Sequence, residues 1–125
     1  MILRVVLGAV LILHGLIHLL GFVVYLRLAE VEALSYSTTL LSGRLDVGEA
    51  GANVFGIAWL VAAVGFVMAS VVVFALPPWW WILTFWVALL SLVVTVLGWP
   101  DSWFRGVNVV ILAYLLVGTR IDWLP

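Results

Sequence analysis

The chain has 125 residues, of which 67% are hydrophobic and 9% charged, with no cysteine and a formal net charge of −1. Soluble domains run near half apolar and a quarter charged, so this composition cannot build a surface that faces water. The absence of cysteine excludes disulfides and thiolate chemistry, and the lack of any basic cluster argues against nucleic acid as a partner.

Four long apolar runs follow one another with little between them. In hydrocarbon every backbone N–H and C=O must be satisfied within the protein, which restricts spanning segments to helices or closed barrels. Barrel strands alternate apolar and polar residues over about ten positions; these runs are longer and apolar on every side. The expected fold is therefore all-α: an integral membrane four-helix transmembrane bundle forming one domain over 1–125.

The first helix is expected over 3–28, ending in "YLRLAEVEA", where Arg27, Glu30 and Glu32 mark the water boundary. It is too long for the apolar core of a cleaved signal peptide and reads as a retained span. The 29–50 connector is the one long loop; its Ser/Thr-rich and glycine-containing sequence fits an interfacial or a disordered segment. The second helix is expected over 51–76, stopped by Pro77 and Pro78, which cannot continue a helical ladder. The third follows at once over 79–98 and the fourth over 102–118, after Pro100. A turn this short makes helices two and three antiparallel neighbours.

The tryptophans fit these boundaries. Trp79, Trp80 and Trp81 fall at one interface, with Trp123 beside them, and Trp99 and Trp103 at the other, as expected of an aromatic belt. Trp59 and Trp86 lie deeper and are expected to pack against neighbouring helices. Arg4 and Arg120 share the side of the amino terminus, whereas Arg27, Arg44 and Arg105 lie on the other, so the positive-inside count is close to balanced. The reading adopted is a multi-pass protein of the plasma membrane with both termini cytoplasmic.

Within this apolar sequence the stretch "HGLIHLLGF" stands out. An ionisable group inside a span is costly, about 2.5–3.5 kcal/mol for Asp, Lys or Arg at the centre. A neutral imidazole is cheaper but still brings one N–H donor and one bare acceptor that lipid tails cannot satisfy. At i and i+4, His14 and His18 share a face, continued by Leu7, Leu11, Gly21 and Tyr25. Gly15 and Gly21 let another backbone approach, so the stripe is expected to face protein. Depth counting at 1.5 Å per residue sets Asn108 of the last helix level with His18, with Ser91 and Thr95 of the third helix in the same half. The resulting expectation is a polar vestibule open toward the long loop, floored by His14 and His18 and walled by Asn108, Ser91 and Thr95. Glu49, Asn53, Asp101 and Arg105 would form its mouth, with Arg105 paired to Asp101 or Glu49.

Satisfied structural polar groups and a working site are both compatible with this pattern. Ser and Thr often bond back to their own helix, and Asn serves as interhelical glue. As a working site, the histidine pair suits a metal ion, since i, i+4 imidazoles can chelate. Haem is less suited, because two rings on one helix cannot clasp it from opposite faces. A quinone carbonyl is another acceptor for an imidazole N–H. Enzymatic catalysis is not expected: there is no cysteine, and no carboxylate lies at the depth of the histidines to orient a base. The leading expectation is a protein without cofactor that acts through helix association in the lipid bilayer, with other membrane subunits or with itself. Redox or ligand binding is the alternative, and an oligomeric transporter or channel the third.

The motifs "HGLIHLLGF", "WLVAA" and Ser91 followed by "GWPDSWFRGVN" resemble a group of small bacterial four-helix membrane proteins, often labelled permease-like. Their pattern is HGxxHLxGF, WLxAA, and W-x-D…G…N before the last span. A fainter likeness exists to DoxX-like proteins. The resemblance points to His14, Gly15, His18, Gly21, Trp59, Asp101, Gly106 and Asn108, and it implies a fold but no particular reaction. Some members carry a soluble C-terminal domain that has no counterpart in this sequence.

Overall fold

A computed structural model describes residues 2–31, 34, 36–41, 43–75, 77–98 and 104–121, the side chains of 104, 105 and 117–121 excepted. It contains four helices, α1 (Ile2–Tyr25), α2 (Gly48–Ala75), α3 (Trp80–Gly98) and α4 (Phe104–Ile121), and a hairpin of β1 (Thr39–Leu40) and β2 (Leu45–Asp46). Helices α1, α2 and α3 are each long and apolar enough to cross a membrane, and α4 adds the shorter apolar stretch Gly106–Leu116 among the described residues. The architecture is thus an all-α four-helix bundle, consistent with a multi-pass membrane protein.

The helix ends follow local chemistry. α1 closes with Arg27 in the left-handed region at φ 58°. Arg27 N–H donates to Val24 O over 3.0 Å and Leu28 N–H to Val23 O over 2.8 Å, the paired bonds of a Schellman cap. At the start of α2, Gly48 N–H donates to Asp46 Oδ1 over 2.9 Å, and Glu49 places a carboxylate in the first turn, where the helix dipole favours it. Between α2 and α3, Trp80 N–H bonds Pro77 O at 2.9 Å, so α3 begins directly after the proline pair.

Among its described residues the 29–50 connector is not disordered but holds the short hairpin. Thr39 pairs with Asp46 and Leu40 with Leu45 in the antiparallel hairpin, and Val47 N–H bonds Thr38 O at 2.9 Å. Leu41 N–H donates to Leu97 O over 2.7 Å, which satisfies one of the carbonyls that end α3. Leu34 and Leu40 are buried beside Tyr25, Phe55, Trp59 and Val94, so the loop closes the end of the bundle.

Two of the tryptophan expectations need correction. Trp80 is 4% exposed and belongs to the core with Val87, Ala88 and Leu115, while Trp79 and Trp81 face outward. Successive helical residues turn by about 100°, so three adjacent indoles cannot share one face. Trp86 is 61% exposed and meets Phe85 edge-on at 5.6 Å, on the outer surface of the bundle. Trp59 is buried as expected, and Trp99, Trp103 and Trp123 lie outside the described residues.

Packing is tightest between α1 and α2. A Cβ on Gly15 would sit 2.7 Å from Phe66 Cβ and 3.1 Å from Ala63 O, and one on Gly21 would enter the Trp59 ring. These glycines bring the α1 stripe directly against two aromatic rings of α2. Two apolar clusters result, one around Leu11, Phe66 and Trp80 and one around Tyr25, Phe55 and Trp59. Both rings that touch the histidine pair come from these clusters, Phe66 from the first and Trp59 from the second.

Candidate functional site

The periodicity of α1 places Leu7, Leu11, His14, His18, Gly21 and Tyr25 on its buried face. His14 and His18 are 3% and 1% exposed, and Ser91, Thr95 and Asn108 are equally enclosed. The structure brings four of these side chains together from three helices. His14 Nε2–H donates to Asn108 Oδ1 over 3.0 Å, joining α1 to α4. Ser91 Oγ of α3 lies 2.5 Å from His18 Nε2 and 3.4 Å from His14 Nε2, so both imidazoles converge on one hydroxyl.

The remaining bond orders the protons. His18 Nδ1 lies 2.7 Å from the His14 carbonyl oxygen, which can only accept, so Nδ1 carries the hydrogen. In the neutral ring Nε2 is then the acceptor, and Ser91 Oγ–H donates to it. With its own proton committed to His18, Ser91 is left to accept at long range from His14 Nε2–H, whose main partner is Asn108. The two rings therefore hold opposite tautomers: hydrogen on Nε2 in His14 and on Nδ1 in His18.

Aromatic rings complete the enclosure. The imidazoles meet edge to face, centroids 4.8 Å apart and planes 74° to one another. Phe66 stands 5.0 Å from His14 and 5.4 Å from His18, and Trp59 lies 5.2 Å from His18. Phe66 is not among the residues that the sequence singles out. Its signal is its position seven residues beyond Trp59, which sets both rings on one face of α2.

The other expected members play different parts. The Thr95 hydroxyl bonds back to Ser91 O over 2.7 Å and reaches no imidazole. Tyr25 is buried beyond the cluster, where its hydroxyl donates to Gly98 O over 3.3 Å. Asn53 is exposed on α2 and faces away from the cluster. Glu49 forms an exposed ion pair with Arg27 at 3.2 Å. Asp101 and the Arg105 side chain lie outside the described residues. Among the described residues the vestibule is closed: Trp59, Tyr25, Phe55 and Val94 fill the space toward the loop that the open vestibule required.

Depth counting pairs the wrong histidine with Asn108. It matches Asn108 to His18, whereas His14 makes the contact and His18 meets Ser91. α1 ends at Tyr25 and not at 28, and α4 runs to Ile121 and not to 118, so both helix midpoints shift.

No family model, curated protein or solved structure matches the chain. What the protein does has to follow from its own geometry.

Proposed function

We propose that this protein has no chemistry of its own and works by helix association, as an accessory or assembly subunit of a larger membrane complex or as a homo-oligomer. Its setting in this reading is the plasma membrane, with both termini cytoplasmic. The observation that carries the reading is that the polar cluster is consumed from within. His14 Nε2, both His18 nitrogens, Ser91 Oγ and Asn108 Oδ1 all have partners inside the bundle. Such bonds fix helix register and are worth about 0.6–2 kcal/mol each in a membrane.

The donor set supports this reading over metal or haem ligation. The imidazoles converge on a hydroxyl and an amide oxygen, and no carboxylate among the described residues joins them to offset a divalent charge in a low dielectric. Among the described residues no three His, Cys, Asp or Glu side chains form a metal-binding group. A ligand taken up by His18 would first have to break its bond to Ser91.

What the bundle presents outward is apolar. Val54, Ile57, Val61, Val64, Met68 and Val71 form one continuous exposed stripe along α2 at alternating spacings of three and four. That stripe is the surface assigned to association in this proposal. The chain has no cysteine, so single cysteines can be placed on it without background. Oxidative or bismaleimide crosslinking in native membranes should give discrete adducts at Val61→Cys and Met68→Cys, but none at the buried Ala62→Cys. Monomer at every position, or a stoichiometric metal or Soret band in the purified protein, would overturn the proposal.

A further inference from the structure

The loop end of α1 holds a cleft of about 890 Å³, lined by Val24, Arg27, Glu30, Val31, Leu34 and Tyr36 among others. α1 is a candidate span, so the cleft stands where its chain leaves hydrocarbon for the headgroup layer. We propose that this cleft binds a phosphoethanolamine headgroup, with the phosphate on Arg27 and the primary ammonium on Glu30.

Three observations carry the assignment. Arg27 is placed by its backbone cap and by its guanidinium lying 4.3 Å from the Tyr36 ring centroid, and its Nη1 donates to Glu49. Only one of its five N–H donors is engaged by that ion pair, and the others are free to take a phosphate oxygen in forked geometry. Glu30 is exposed on the same cleft and has no ion pair among the described residues. One fixed cation and one free carboxylate on a shared wall match a zwitterion better than a simple anion, which Glu30 repels.

Tyr36 supplies the third. Its ring face already carries the Arg27 guanidinium, which removes the aromatic surface that a quaternary choline would use. A primary ammonium, with N–H donors for a carboxylate, fits what remains. Val24, Val31 and Leu34 add an apolar wall for the glycerol end and first methylenes of a lipid.

The test uses the full chain in nanodiscs of mixed phosphatidylethanolamine, phosphatidylcholine and phosphatidylglycerol, with bound lipid counted by native mass spectrometry. The wild type should enrich phosphatidylethanolamine over both others. Arg27→Gln should cut that enrichment about tenfold, the worth of one charge-assisted contact, and Arg27→Lys should restore part of it. Glu30→Gln should abolish the preference over phosphatidylglycerol; Glu30 is exposed and unpaired among the described residues, so this variant carries the test if Arg27→Gln fails to fold. Soluble phosphoethanolamine titrated into the mixed discs, with bound phosphatidylethanolamine as the readout, separates the two sources. Competition at millimolar concentration or below assigns the site to the free headgroup compound, and its absence assigns it to the lipid. Equal binding of all three lipids by the wild type, or enrichment unchanged in both Arg27→Gln and Glu30→Gln, would refute the proposal.

Discussion

His14 of α1 and Asn108 of α4 are joined by a 3.0 Å hydrogen bond between residues that are almost wholly shielded from solvent. The bond links the first helix to the last across the middle of the bundle. Replacing Asn108 by Ala leaves a buried imidazole N–H without its main acceptor and should destabilise the protein by about 1–2 kcal/mol. Paired with His14→Ala in a double-mutant cycle, the two losses should fall short of additive. Unfolding in mixed micelles measures both, and strict additivity would show that the bond contributes nothing.

The proton assignment can be read directly. Nitrogen-15 NMR of labelled histidine should show one ring protonated at Nε2 and one at Nδ1, as the bonds to Asn108 and to the His14 carbonyl require. In Ser91→Ala the His18 Nε2 resonance should move toward that of a bare acceptor, while the Nδ1–H stays in place. Two rings of the same tautomer would contradict the arrangement.

Close approach of α1 to α2 depends on hydrogen in place of a methyl group at Gly21. A Cβ there enters the Trp59 ring, and Trp59 is locked between His18 and Phe55. Gly21→Ala should therefore destabilise by about 1–3 kcal/mol, the usual range for overpacking. On α4, a methyl group added at Gly106 would meet nothing within 4 Å among the described residues, and Gly106→Ala should be neutral or slightly stabilising through helix propensity. Thermal midpoints of the two variants in one detergent provide the comparison.

Arg27 occupies a left-handed cap position that glycine adopts without cost. Arg27→Gly relieves that strain but loses the Glu49 ion pair and the contact over Tyr36. The ion pair is largely exposed and of little worth. Stability should thus stay within about 1 kcal/mol of wild type for Arg27→Gly, while Arg27→Ala, which keeps the strain and loses the contacts, should be the worse of the two. Chemical denaturation of the pair decides the order.

Much of this architecture was legible in the sequence, because hydrocarbon as solvent leaves few choices for a long apolar run. Helix count, the proline break and the buried α1 stripe all follow from that constraint. Partners across helices were harder to read. His14, His18, Ser91 and Asn108 could be grouped by depth, but which ring meets which side chain depends on helix ends and tilt. The hairpin left almost no trace: two-residue strands are too short to show alternation, and the bond that anchors Leu41 reaches a carbonyl on a distant helix. Trp86 misled because depth along a helix says nothing about which way a residue points.

The Leu41–Leu97 bond sets an order of events during synthesis. The segment joining the first two spans finds one of its backbone anchors near the end of the third, so that bond cannot form until the third span has been made. Chains stalled before Leu97 should expose the segment to protease more than finished chains do.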